Sequence, residues 1–240
     1  MMSKVVLSLR NVGVSFKLSD KNALISHNET LRGVSLDIYA GETLGVLGAN
    51  GSGKSTLLKI MSGALQPDYG EVINHGSKVA LLALQAGFDA NLSGRDNALF
   101  GGMLLGYSRR DVLQRLEDIK AYAELGDYFE EPVRSYSSGM ASRLGFAISS
   151  IISPDVLLVD EVLSVGDAHF KQKAERTMMQ KIASGQTVVL VSHSRGQIAN
   201  LCDRCVILNN GKLNQADTLD ETLKIYDQLM QGKKNDTGHN

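Results

Sequence analysis

Gly48-Ala49-Asn50-Gly51-Ser52-Gly53-Lys54-Ser55 is the stretch on which the reading of this chain turns. Two glycines five residues apart, followed by a lysine and a hydroxyl residue, make the pattern of a phosphate loop. Glycine has no Cβ, so successive backbone N–H groups can turn toward phosphate oxygens, and a helix that starts here adds its positive end. The flanks have the required order: residues 43–48 are a short apolar run ending in glycine, and residues 52–60 have helical spacing. A tight strand-to-helix turn is the plain alternative, but a chance match to the pattern arises in only about one chain in a hundred. In the phosphate-loop reading Lys54 bridges β and γ phosphates and Ser55 ligates magnesium.

Outward from the loop, residues 5–9 and 12–16 predict strands, residues 17–30 a long polar loop, and residues 34–38 a further strand. Residues 71–73 and 78–84 read as two strands around a turn at His75-Gly76. From 90 to 152 the strand signal disappears, and residues 95–105, 109–125 and 138–152 read as helices of an insertion. Strand-like runs return at 156–159, 187–191 and 205–208, separated by helices near 169–182 and 195–201. Such alternation implies a mainly parallel sheet with helices on both faces. A last helix, 219–230, leads to a polar tail. The expected division is one domain over 1–232, its helical part spanning about 90–152, and a disordered tail at 233–240.

The 240 residues are 43% hydrophobic and 21% charged, an ordinary globular composition that argues against disorder and suits one large α/β domain. The 25 basic and 26 acidic side chains leave a net charge of -1, which attracts neither nucleic acid nor a membrane surface. The longest apolar stretches, such as 156–159 and 188–191, fall far short of the roughly 20 residues that a spanning helix needs. Met1-Met2-Ser3-Lys4-Val5-Val6 lacks the apolar core of a secretory signal, so a cytosolic location is expected. Cys202 and Cys205 supply too few ligands for zinc and read as small buried residues at a helix-to-strand junction.

Three further constellations bear on chemistry. Asp155-Val156-Leu157-Leu158-Val159-Asp160-Glu161 is a buried type of strand ending in two acids, at the sheet rim where nucleotides sit in open α/β folds. Asp160 is suited to hold magnesium through water and Glu161 to polarise the attacking water, although acids after strands also serve as helix caps. His193, after the apolar strand 187–191, would reach the same rim. Ser135-Tyr136-Ser137-Ser138-Gly139-Met140 opens a helix either as an N-cap or as an anion site. On a helical insertion, away from Lys54, that anion would belong to another copy of the chain.

These residues in this order resemble the nucleotide-binding domain of an ABC transporter, over almost the whole chain. Residues 136–140 stand where that family carries its signature, usually Leu-Ser-Gly-Gly-Gln, with tyrosine for the leucine, serine for the first glycine and methionine for the glutamine. Together with residues 160–170, 92–97 and the Glu161-Val162 step in place of Glu-Pro, this is similar to the subgroup exporting lipid-linked bacterial polysaccharides. The implied fold is a P-loop NTPase of ABC type: a mainly parallel α/β core sheet, an N-terminal antiparallel β subdomain and a helical insertion. The implied ATP-binding set is Phe16, stacking on adenine, Gly48, Ala49, Asn50, Gly51, Ser52, Gly53, Lys54, Ser55, Thr56, Gln85, Ser137, Ser138, Gly139 and Asp160. Ser55, Gln85 and Asp160 would hold Mg2+, and Glu161, His193 and Lys54 would act in hydrolysis. Residues 164–167 correspond to the loop crossing the dimer interface.

The resemblance implies an ATPase that pairs with a second copy of itself and closes on ATP shared between the phosphate loop of one copy and residues 137–139 of the other. It would sit peripherally at the cytoplasmic face of the bacterial inner membrane, drive a separate membrane permease, and have a lipid-linked glycan, O-antigen foremost, as its indirect substrate. Residues 85–90 and the helical insertion are the expected docking face, and nucleic acid is not an expected partner. The short segment after the last strand is not expected to read the glycan itself. The alternatives are a cassette for capsule, teichoic acid, a drug or a small molecule, and a soluble cassette of DNA repair or translation. With Glu161 as the residue that orients water, Glu161→Gln should keep ATP binding while turnover falls by about 10²-fold or more. Steady-state ATPase near the wild-type rate would remove Glu161 from that role.

Overall fold

The computed structural model describes residues 4–18, 26–82, 87–160 and 167–236. In chain order its elements are β1 (Val5–Leu18), β2 (Ser26–Tyr39), β3 (Thr43–Leu47), α1 (Lys54–Met61), β4 (Tyr69–Asn74), β5 (Val79–Leu81), α2 (Gly94–Leu104), α3 (Arg109–Leu113), α4 (Leu116–Ala123), α5 (Ser138–Ile152), β6 (Val156–Asp160), α6 (Ala168–Ala183), β7 (Thr187–Ser192), α7 (Arg195–Leu201), β8 (Arg204–Asn209), β9 (Lys212–Asn214) and α8 (Leu219–Asp236). Two compact units emerge, Met1–Ser77 with Gln186–Asn240, and Lys78–Gly185.

The first unit holds a three-stranded antiparallel sheet in the order β2-β1-β4. A second sheet contributes β7, β3, β8 and β9 in that order, the first three parallel and β9 antiparallel to β8. Every residue of β3 and β7 is buried, which explains their continuous apolar runs: a parallel strand covered on both faces has no side to spare for polar groups. The antiparallel hairpin alternates instead, burying Leu7, Leu9, Val12 and Val14 on β1 against Leu31, Val34, Leu36 and Ile38 on β2.

Several strand expectations change here. Residues 5–9 and 12–16 belong to one strand, interrupted by an irregular register between Leu9 and Val12, where Asn11 takes φ 52. Much of the stretch 17–30, expected as loop, is paired strand: Ser15 faces Glu29 and Lys17 faces His27, leaving 19–25 outside the described residues. A strand with an outward face carries polar residues without losing its ladder, so polarity alone misleads there. The expected turn is present at Gly76, φ 90, between β4, which pairs with β1, and β5, which runs parallel to β6. Of the expected strand 78–84, Val79–Leu81 form β5, with main-chain bonds to β6 continuing at Lys78 and Leu82, and residues 83–84 lie outside the described residues.

Cys202 and Cys205 lie buried at the junction of α7 and β8, as expected, and burial pushes their thiols up to about 12 and about 11. Such thiols stay protonated and inert. The last helix, α8, continues to Asp236, past the end of its apolar pattern, so residues 233–236 are helical where a disordered tail was expected. Residues 237–240 lie outside the described residues.

The second unit carries the β5–β6 pair and the helices from α2 to α6. Its core is built from Ala98 of α2, Val112 of α3, Leu116 and Ile119 of α4, Phe129, and Leu144, Ala147, Ile148 and Ile152 of α5. The single helix expected over 109–125 is two, broken at Gln114-Arg115, where the Arg115 N–H bonds back three residues to the Val112 carbonyl, at 2.9 Å, rather than four. Its guanidinium instead reaches the Ile151 and Ile152 carbonyls, each at 3.4 Å, at the end of α5, where cations are favoured. Arg95 of α2 clasps both carboxylate oxygens of Glu130, at 3.0 and 2.9 Å from Nε, and Glu117 of α4 at 2.9 Å. Its guanidinium also lies over the Phe129 ring, 5.3 Å from the centroid. Phe129 is fully buried at the centre of these contacts. Phe129→Ala should therefore cost about 3–5 kcal/mol, measurable as an earlier denaturant midpoint.

Candidate functional site

The glycine loop follows β3 and leads directly into α1, the order that the sequence requires. Its backbone visits conformations that side chains resist: Gly51 has φ 76 and Gly53 φ 103. Space is short as well as geometry. A Cβ on Gly53 would lie 2.9 Å from the Thr30 carbonyl oxygen of β2, and one on Gly48 would lie 2.5 Å from both the Leu208 carbonyl oxygen and Ser52 Oγ. The loop is thus wedged between β2 on one side and the end of β8 on the other.

Lys54, the first residue of α1, is 6% exposed, and its ammonium donates to the Gly48 carbonyl at 2.8 Å and the Ala49 carbonyl at 3.1 Å. A buried ammonium must be paired, and here the loop itself supplies two acceptors. Ser52 Oγ, among the described residues, is the buried side-chain oxygen left without a hydrogen bond. An orphan hydroxyl, a buried cation and a glycine cradle at one helix start fit a polyphosphate group: the chain offers donors where a phosphate brings acceptors. Ser55 lies exposed in the first turn of α1 and Thr56 is half-buried behind it. Ser55 Oγ fits the demand of a phosphate-bound Mg2+, which takes few protein ligands and keeps phosphate oxygens and water as the rest.

The other residues are spread over several elements. Phe16 stands on β1, 45% exposed and paired with Asn28, two residues along β2 from the Thr30 that touches the loop. His193 follows β7 directly and is exposed; the Tyr226 hydroxyl of α8 donates to its carbonyl at 3.3 Å. Ser194 next to it caps α7, accepting from Gln197 N at 3.4 Å. Asp160 is the last residue of β6, in the second unit. Ser137 caps α5, accepting from Met140 N at 3.2 Å, with Ser138 exposed and Gly139 half-buried in the first turn. Asp167 likewise caps α6, and its bond from Phe170 N, at 2.9 Å, holds its carboxyl below the usual range. Gln85, Glu161 and residues 162–166 lie outside the described residues.

Sequence reasoning missed Thr30. Nothing local marks it, because it sits in the polar stretch read as loop, yet its carbonyl forms one wall of the cradle. This wall separates two otherwise similar substitutions. At Gly51 a Cβ meets nothing within 4 Å, so Gly51→Ala carries only the left-handed backbone penalty, about 1–2 kcal/mol. Gly53→Ala adds a collision with backbone that cannot rotate away. It should unfold at lower denaturant than Gly51→Ala and bind nucleotide at least about tenfold more weakly. Equal stability and equal nucleotide titrations of the two variants would contradict the described cradle.

A family model described as ABC transporter matches residues 31–164, which include the glycine loop, residues 136–140 and Asp160. ABC transporter protein AbcA of Aeromonas salmonicida is 40% identical over 223 residues, 88% of this chain and 72% of that protein. O-antigen export system ATP-binding protein RfbB of Klebsiella pneumoniae is 39% identical over 197 residues, 82% of this chain and 80% of that protein. Teichoic acids export ATP-binding protein TagH of Listeria monocytogenes serotype 4b (strain F2365) is 42% identical over 200 residues, 83% of this chain but 59% of that protein, so the chain spans less than two thirds of this relative. Among solved structures, an ATP binding subunit of an ABC transporter superposes with TM-score 0.74 at 21% identity, covering 92% of this chain and 93% of its own. The dimeric post-hydrolysis state of an ATP-binding cassette bound to ADP and Pi gives TM-score 0.71 at 22% identity, covering 89% and 98%. At those identities the likeness speaks for the fold alone, while the family model and the relatives near 40% identity carry the assignment. The chain belongs to the ABC transporter family, among its ATP-binding ATPases.

Proposed function

We propose that this chain is the ATPase subunit of an exporter of lipid-linked polysaccharide, working as a pair of copies on a separate membrane permease at the cytoplasmic face of the bacterial inner membrane. The observation that carries the nucleotide part is the glycine cradle, with its buried Lys54 ammonium and orphan Ser52 hydroxyl. In this reading Lys54 leaves the Gly48 and Ala49 carbonyls for the β and γ phosphates, and the loop N–H groups and Ser52 Oγ hold the remaining oxygens. Ser55, Asp160 and Gln85 would hold Mg2+, which when bound draws charge from the phosphates. Glu161 orients the attacking water, and His193 approaches the γ-phosphate. Phe16, exposed beside the cradle, stacks on the adenine. Ser137, Ser138 and Gly139 of the second copy complete the site with the N–H groups that open α5.

Among the described residues no helix is long and apolar enough to cross a membrane, so in this proposal the path for the glycan lies in the permease. An exposed apolar stripe on α2 supports the docking part: Phe100, Met103 and Leu104 recur at helical spacing, and Leu104 is 79% exposed. Large apolar side chains gathered on one helix face suit burial against another protein. For the substrate, the similarity to O-antigen and teichoic acid export proteins is nearly even, 39% against 42% identity. O-antigen is the favoured substrate and teichoic acid the second reading.

Purification with the membrane partner, followed by identification of the copurifying lipid-linked glycan, tests the substrate. A repeating O-antigen polymer is expected; a teichoic acid would select the second reading, and a drug or small nutrient would refute both. The shared site is tested by mixing. Lys54→Ala subunits combined with subunits damaged at Ser137 and Gly139 leave one intact composite site per mixed dimer, because both lesions fall in the other site. Partial ATPase should return, whereas each parent alone should be inactive. Mixed dimers as inactive as both parents would count against a shared site.

A further inference from the structure

Tyr136 stands just before the α5 cap, and its phenol ties together elements that the chain enters at separate points. Its hydroxyl donates to the Tyr128 carbonyl at 2.6 Å. From the other side comes Gly94, the first residue of α2, whose lack of a side chain leaves room for the phenol oxygen. Any Cβ at Gly94 would collide with the phenol oxygen and lie 3.0 Å from the Phe129 carbonyl oxygen. Burial pushes the phenol up to about 12, so it remains a donor at every working pH. Main-chain bonds run alongside: Gly94 N to Glu131 O at 3.2 Å, Val133 N to Leu92 O at 2.9 Å and Arg134 N to Ala90 O at 2.8 Å. The segments leading into α2 and α5 are thus laced together, each ending in a serine cap, Ser93 for α2 and Ser137 for α5.

We infer that Tyr136 is a positioning residue: its phenol, admitted by the bare Gly94, locks the start of α5 to the start of α2 so that the two helix ends move as one piece. This rests on the proposed roles of the α5 start, completing the second copy's ATP site, and of the α2 stripe, meeting the permease. Two helix starts packed together at one phenol, itself tied to the Tyr128 carbonyl, and joined by a short backbone ladder have little freedom to shift independently, because each bond fixes the groups that the others need. A displacement of α2 by its partner would then reach the three residues at 137–139 without passing through a flexible loop, and nucleotide at 137–139 would act back on α2.

The mixed dimers give a test that a merely structural role would not move. With Lys54→Ala on one subunit and the Gly139 lesion on the other, the live site uses the α5 start of the Lys54→Ala subunit. Tyr136→Phe added to that subunit should lower kcat about tenfold, with nucleotide binding at the Lys54 site of the partner unchanged. Added to the Gly139-damaged subunit, the same substitution should leave activity as it was. Gly94→Ala, which displaces the phenol from the opposite side, should repeat the asymmetry and serves where Tyr136→Phe fails to fold. Equal losses in the two placements, or no loss in either, would overturn the inference while the shared-site reading stands. Inactive mixed dimers before any change at Tyr136 would instead refute the shared site, and this inference with it.

Discussion

The Lys54 ammonium sits almost wholly inside the protein, held by the carbonyls of Gly48 and Ala49. That pairing sets the terms for the rest of the site. A charge removed from water must be compensated, and the two backbone carbonyls contribute to that as neutral acceptors, weaker partners for an ammonium than an anion. Polyphosphate is more negative, and the same loop that lends its carbonyls to the lysine also carries the N–H groups and the Ser52 hydroxyl that a phosphate would engage. The arrangement depends on a loop too tight for side chains. Thr30 of β2 presses on Gly53, and the Leu208 carbonyl at the end of β8 presses on Gly48. The two sheets of the first unit are therefore part of the site, since they form the walls that keep the loop in its shape.

Much of this was legible in the sequence, because its signals are local. The loop pattern, the buried runs of β3, β6, β7 and β8, and the helices α6 and α7 follow from apolar periodicity and from glycine at positions with little room. What escaped depends on partners far away in the chain. The hairpin ends 17–18 and 26–30 look like loop by polarity, yet are strand because 26–27 pair with 17–18 and Asn28 and Glu29 pair with Phe16 and Ser15 of β1. The helix over 109–125 looks continuous by period, yet breaks because Arg115 is drawn to carbonyls at the end of α5. Thr30 illustrates the same limit at the site: it belongs to no recognisable motif and matters through Gly53, which only folding brings near it, just as Gly94, within the stretch 92–97 that carries the resemblance, gains its role through the distant Tyr136.

The helical unit carries a different division of labour. Phe129, Leu144 and their neighbours give it a core of its own, and Arg95 with Glu130 and Glu117 fastens α2 to the turn and helix that follow. The outside of α2 keeps apolar side chains in water, while the start of α5 keeps small polar ones. One face suits another protein and one end suits an anion, which is what the proposed function asks of this unit: to link nucleotide binding to a partner.

The central claim is that ATP lies between two copies, with the loop of one facing the α5 start of the other. Both native cysteines are buried, so introduced thiols at exposed Asn50 and Ser138 can be addressed selectively. Asn50→Cys and Ser138→Cys placed on separate Glu161→Gln chains, mixed and treated with a short thiol crosslinker, report on that arrangement alone. Covalent pairs joining one chain of each kind should form with MgATP and be absent without nucleotide. Crosslinks indifferent to nucleotide, or no mixed pairs under conditions where ATP is bound, would contradict that arrangement.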